Sequence, residues 1–155
     1  MAVLITTLMA AAPARADITG FIGTNTTPDN RLARGFAIGF GLLVVGFEFE
    51  YSSTSESVST SGVAPSLKTG MGNVLLQTPV MIAGVQPYFT TGGGWYSETL
   101  GSRNDMGLGA NVGGGAKISL AGPIRLRVDY RVFKQGSGAL YTPAHRFYAG
   151  LNLKF

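Results

Sequence analysis

Residues 123–134, PIRLRVDYRVFK, limit what this chain can fold into more than any other stretch. Ile124, Leu126, Val128, Tyr130 and Val132 fall on even positions, and Arg125, Arg127, Asp129 and Arg131 on the odd positions between them. Side chains alternate across a β-strand, so a period of two predicts a strand with one apolar and one charged face. Charges at four successive positions of one face are more than an ordinary half-exposed strand carries. The rest of the chain has to decide which face looks inward.

The same period, cut by turn signals, runs along the chain from residue 17. Ile18 and Ile22 share a side, and the polar segment 24–33 contains the turn signal Pro28-Asp29-Asn30. Phe36, Ile38 and Phe40 are apolar on even numbers. Val45, Phe47, Phe49 and Tyr51 are apolar on odd numbers, with Glu48 and Glu50 interleaved. A continuous strand keeps its parity, so the switch predicts a tight turn within 41–44. A Ser/Thr-rich loop at 52–66 leads to a strand over 67–78, a connection at 79–87 and a strand over 88–97. A polar loop at 98–106 precedes a strand marked by Leu108, Ala110, Val112, Ala116 and Ile118. The turn 121–123, the opening stretch, a loop at 135–144 and a final strand over 145–155 complete the chain. Eight strands with alternately long and short connections predict an up-and-down meander closed into a barrel, which leaves no sheet edge exposed.

Composition orients that barrel. Hydrophobic residues make up 45% of the chain and charged residues only 13%, about half the usual share of a soluble domain. With 23 glycines, the polar face is too small and too poor in charge to be a solvated exterior. Phe36, Phe40, Phe47, Phe49, Tyr51, Phe89, Trp95, Tyr130, Phe147 and Phe155 load the apolar face. They are too bulky to share the interior of an eight-stranded barrel, which side chains fill completely. Strands of about ten residues with an aromatic-tipped apolar face match the hydrocarbon core of a bilayer. The expected fold is therefore all-β: an eight-stranded antiparallel transmembrane β-barrel, apolar side outward. A lipocalin-like barrel with the faces exchanged is the alternative.

No segment predicts a membrane-spanning helix, since the longest apolar run, 36–47, has about 12 residues where about 20 are needed. Residues 1–16 read as a signal peptide, apolar over 3–12 and ending on the cleavage pattern Ala14-Arg15-Ala16, although without a basic start. That leaves 17–155 as the barrel domain. The formal charge of +4 contains no basic run, so nucleic acid is not an expected partner. Without cysteine, neither a disulfide scaffold nor a thiolate metal site can form.

The final strand puts Phe147, Ala149, Leu151, Leu153 and Phe155 on one face and Arg146, Tyr148, Gly150, Asn152 and Lys154 on the other. With Phe147-x-x-x-Leu151-x-Leu153-x-Phe155, and with Pro87-Tyr88-Phe89 followed by Gly92 to Trp95, residues 17–155 resemble a known family. It is the small outer-membrane β-barrel family of Gram-negative bacteria, a porin-superfamily group that includes the OmpA transmembrane domain, OmpX and the opacity proteins. The resemblance implies residence in the bacterial outer membrane, amid outer-membrane lipid and lipopolysaccharide. It also implies that Phe147, Leu151, Leu153 and Phe155 form the signal read by the barrel-assembly machinery. The family shares an architecture and no single activity. The expected role is structural, adhesive or surface-interacting, through loops that meet an external partner. A narrow porin-like channel is the alternative.

With the apolar face outward, Glu48, Glu50 and Asp129 should meet Lys117, Arg125, Arg127, Arg131 and Arg146 in the lumen, and Lys154 should join them. Charges in a narrow interior must be paired and hydrogen-bonded, so Glu48 and Glu50 are expected within reach of Arg125, Arg127 or Arg131. Gly92–Gly94 and Gly113–Gly115 lie almost symmetrically about Arg103-Asn104, so a hairpin centred there would set the triplets side by side and make room for long side chains. A lipid A-modifying hydrolase would need a histidine paired with a serine nucleophile and an orienting carboxylate. The only histidine, His145, has no nearby serine, and the deacylase-type His-x-Ser arrangement is absent. No catalytic residue, no metal site and no cofactor is expected.

Overall fold

The computed structural model describes residues 15–59 and 62–155. Its strands are β1 (Arg15–Asn25), β2 (Arg31–Leu42), β3 (Val45–Thr54), β4 (Ser57–Ser59) and β5 (Gly62–Ala64), then β6 (Ser66–Gln77) and β7 (Val85–Leu100). β8 (Arg103–Ala121), β9 (Ile124–Lys134) and β10 (Ala144–Lys154) follow. Eight of them close into a barrel in the order β1-β10-β9-β8-β7-β6-β3-β2, every pairing antiparallel, while β4 and β5 form a separate hairpin. Closure comes from β1 pairing with β10, Ile18 opposite Leu153 and Asn25 opposite Arg146.

Parity does what the alternation requires. In β9, Arg125, Arg127, Asp129, Arg131 and Phe133 are buried while Ile124, Val128 and Tyr130 are exposed. The same split holds in β3, where Glu48 and Glu50 are buried between exposed Phe47 and Phe49. The exposed set is a continuous apolar wall that includes Ile22, Phe36, Ile38, Phe40, Phe89, Trp95 and Leu151. Its aromatic residues gather toward the rims. Tyr51 lies between Phe36 and Trp95, at centroid separations of 5.9 and 6.3 Å, and Phe40 stacks on Phe47 at 5.4 Å near the opposite end. An apolar band with aromatic girdles outside and a polar filling inside is the arrangement of a transmembrane barrel.

The parity switch between Phe40 and Val45 is the turn Leu43-Val44, with Leu43 at φ 53° in the left-handed region that a two-residue hairpin demands. Gly122, at φ 54°, serves the same purpose before β9. Three expectations need correction. The polar segment 98–106 is not a loop: β7 and β8 run through it and turn only at Gly101-Ser102. Polar residues make ladder hydrogen bonds as well as apolar ones do, and above the bilayer nothing obliges a strand to be apolar. The loop at 52–66 likewise contains the β4–β5 hairpin. Finally, the glycine triplets are offset: Gly92–Gly94 face Gly109–Asn111, and Gly113–Gly115 face Tyr88–Thr90. The hairpin centre falls at 101–102, not 103–104. Of the expected leader, 1–14 lie outside the described residues, and Arg15 and Ala16 pair with Gly41 and Phe40 in β1.

Candidate functional site

The lumen is built from the inward parity positions of every barrel strand, in three layers. The middle layer joins β3 to β9 and β10 across the barrel. Glu48 accepts from Arg127, with Nη2 at 3.2 Å from Oε1, and from Arg131 Nη2 at 2.8 Å. Asp129 accepts from Arg127 Nη2 at 3.2 Å, from Arg131 Nε at 2.9 Å and from the Tyr88 hydroxyl. Glu50 pairs with Arg131 Nη1 at 3.1 Å and with Arg146, which also donates to the Ser52 hydroxyl. Tyr88 receives Arg127 Nε at 2.7 Å, so its oxygen relays between cation and carboxylate.

Three carboxylates thus face three guanidinium groups, all buried. Burying them is compatible with folding only because each charge has several partners. The rings add to this. The Arg127 guanidinium lies 4.9 Å from the Tyr88 centroid, and that of Arg146 4.5 Å from Phe133. Phe21 stacks on Tyr148 at 4.1 Å. Gly113 and Gly115 leave the necessary space: a β-carbon would stand 2.8 Å from Arg131 Cγ and 2.6 Å from the Tyr88 hydroxyl, respectively.

Toward the loop end lies an apolar layer of Leu67, Met71, Tyr96, Phe133 and Ala144, with Ala139 of the β9–β10 connection packed on it. Toward the short turns lies a second charged group. Lys117 Nζ and Arg125 Nη2 sit 2.6 and 3.2 Å from the same oxygen of Asp17. Arg125 also donates to Asn152 at 2.7 Å and to Gln86 at 3.2 Å.

The eight sequence-derived lumen residues therefore divide between two clusters. Glu48, Glu50, Arg127, Asp129, Arg131 and Arg146 form one, while Lys117 and Arg125 belong to the other. Tyr148 and Asn152 are buried on the Arg146 face, as the alternation of the last strand predicts. Asp17, Tyr88 and Gln86 carry no such signal of their own, although Asp17 shares the inward parity opposite to Ile18 and is legible from it. Phe147, Leu151, Leu153 and Phe155 all face outward, at 57%, 61%, 45% and 64% exposure. His145 Nδ1 lies 2.7 Å from the Tyr130 hydroxyl, and no serine or carboxylate contact to its ring is found among the described residues.

Outside the lumen, the loop-end connections are tied to one another. Arg31 donates to the carbonyls of Thr27 at 2.8 Å, Ser55 at 3.5 Å and Pro65. Leu140 N–H donates to Glu98 at 3.0 Å, Arg103 to the Gly138 carbonyl at 3.0 Å, and the Tyr141 hydroxyl to the Val63 carbonyl at 3.4 Å. The rim so formed exposes Val58, Val63, Leu140 and Tyr141.

No protein-family model matches the sequence, and no curated protein matches it. Solved structures do. The N-terminal β-barrel domain of Pseudomonas aeruginosa OprF is similar, with a TM-score of 0.67 at 15% identity over 91% of this chain and 97% of that one. Neisserial surface protein A gives 0.67 at 16% identity over 92% and 96%. The Yersinia pestis outer membrane protein Ail gives 0.57 at 14% identity over 92% and 100%. At such identities the likeness is one of fold. The chain has the fold of the small, eight-stranded barrels that outer-membrane proteins use to cross their membrane.

Proposed function

We propose that the chain is a bacterial outer-membrane barrel whose work is done at its loop face, in a structural, adhesive or surface-interacting role. The observation that carries this reading is the filling of the lumen. A charge-balanced network occupies its middle and an apolar layer lies between that network and the loops. Meanwhile the linked rim presents Val58, Val63, Leu140 and Tyr141 to the outside. In this reading outer-membrane lipid and lipopolysaccharide surround the apolar wall, and an external partner meets the rim. The barrel-assembly machinery reads β10 through Phe147, Leu151, Leu153 and Phe155. This reading assigns the chain no catalytic residue. The Tyr130 contact of His145 lacks the nucleophile and carboxylate that hydrolysis requires.

One observation favours the narrow-channel reading: the lumen is already open at its short-turn end. Conduction would still need Glu48 and Glu50 to exchange partners and the apolar layer to part, and the excess of Arg and Lys would favour anions. Refolded protein in planar bilayers separates the two. The loop-face reading expects a barrel whose gel migration is heat-modifiable and which gives no stable openings. Regular single-channel steps would replace it with the channel reading. Recovery of the expressed protein in a light membrane fraction would remove both.

A further inference from the structure

The short-turn end of the lumen opens into a cavity of 120 Å³. Its charged lining consists of Arg15, Lys117, Arg125 and Lys154 against Asp17 and Glu48. Glu48 does not serve the cavity, because both of its oxygens are held from within by Arg127 and Arg131. Among the described side chains lining the cavity, Asp17 is thus the one carboxylate left, and a single oxygen of it receives both Lys117 and Arg125. Lys154 and Arg15 form no ion pair among the described residues. Lys117 and Arg125 are nevertheless 4% and 7% exposed.

This is unlike the middle of the lumen, where carboxylates and guanidinium groups match in number. Lys117 and Arg125 are buried against the single carboxylate of Asp17, whereas Lys154 is half-buried and Arg15 exposed. Removing two cations from water against one countercharge is costly, so that surplus calls for an anion, which Lys154 at the mouth can also reach. A carboxylate would neutralise one of the cations. A tetrahedral oxyanion carries more charge and several acceptor oxygens, which suits a lysine, a guanidinium and a second lysine converging from β8, β9 and β10. The cavity has room for such a group.

We propose that the short-turn mouth binds a phosphate-class anion, held by Lys117, Arg125 and Lys154. Arg15 adds to the field but is not needed for it, so the site survives removal of a leader ending at Ala16. The phosphate can be a free ion or the headgroup of a phospholipid in the adjoining leaflet.

The test titrates inorganic phosphate calorimetrically into the full chain refolded in a non-ionic detergent. One saturable site is expected. Lys154→Gln should weaken it about tenfold, the worth of one charge-assisted hydrogen bond. Because Lys154 has no ion-pair partner among the described residues, that variant should keep its heat-modifiable migration. Arg125→Gln should weaken binding further, with the same migration assay reporting whether loss of its Asp17 contact disturbs folding. In a second arm, competition by short-chain phosphatidylglycerol marks the lipid headgroup as occupant, and lack of competition marks the free ion. Absence of saturable binding overturns the proposal. So does wild-type affinity in Lys154→Gln, or displacement of phosphate by an equal concentration of chloride, either of which would mean a diffuse positive field.

Discussion

Glu48→Gln is the substitution whose cost follows most directly from the lumen. The side chain is 4% exposed and holds two arginines at once. Glutamine keeps its shape, but removes the charge and turns an NH2 group toward guanidinium donors. Removing one partner of a buried ion pair typically costs about 3–5 kcal/mol, because the survivor is left uncompensated. Here both survivors retain acceptors: Arg127 keeps Asp129 at 3.2 Å, and Arg131 keeps Asp129 at 2.9 Å and Glu50 at 3.1 Å. The lower end of that range applies, about 3 kcal/mol, or roughly a hundredfold in the folded-to-unfolded ratio. Equilibrium urea unfolding in lipid vesicles, followed by Trp95 fluorescence, should show the midpoint falling with the slope unchanged. The double variant Glu48→Leu/Arg127→Met should recover most of the loss, since an apolar pair of similar volume removes both charges. A cost under about 1 kcal/mol for Glu48→Gln, the worth of an exposed surface pair, would refute the reasoning.

Three further substitutions probe the lumen and the outer wall. Phe133→Ala removes a ring that is 2% exposed between the apolar layer and Arg146. It should cost about 3–5 kcal/mol by urea unfolding. Gly115→Val would bring a β-carbon within 2.2 Å of the Val128 carbonyl oxygen, and should leave no heat-modifiable folded band on a gel. Gly20→Val, at an outward position with no atom within 4 Å, should fold like the parent.

What could be read from the sequence followed from how strongly each strand writes its parity. Ile124 to Val132 alternates without a break, and the switch between Phe40 and Val45 identifies a two-residue turn. Where glycine replaces side chains, as in β7 and β8, the period fades. The register of Gly92–Gly94 against Gly109–Asn111 could not be found there. Polarity also misleads beyond the bilayer, where Glu98 and Asp105 sit opposite each other in a ladder although they look like loop residues. The charges of the lumen were visible because they alternate with large apolar side chains. Their partition into two clusters was not, because it depends on pairs such as Lys117 with Asp17, 100 residues apart. Nor was the inward placement of Phe21, Tyr88, Tyr96 and Phe133 evident. Hydrophobic type alone cannot separate a lipid-facing aromatic from one that stacks on a buried guanidinium.

The central claim is that the apolar parity faces lipid while the charged parity is enclosed. Trp95, the chain's one tryptophan, tests it directly from the outer wall beside Tyr51. In vesicles made with lipids brominated at graded depths along the acyl chain, its fluorescence should be strongly quenched, most of all by bromines near the headgroups, and should resist aqueous iodide. Emission that ignores brominated lipid would contradict the account.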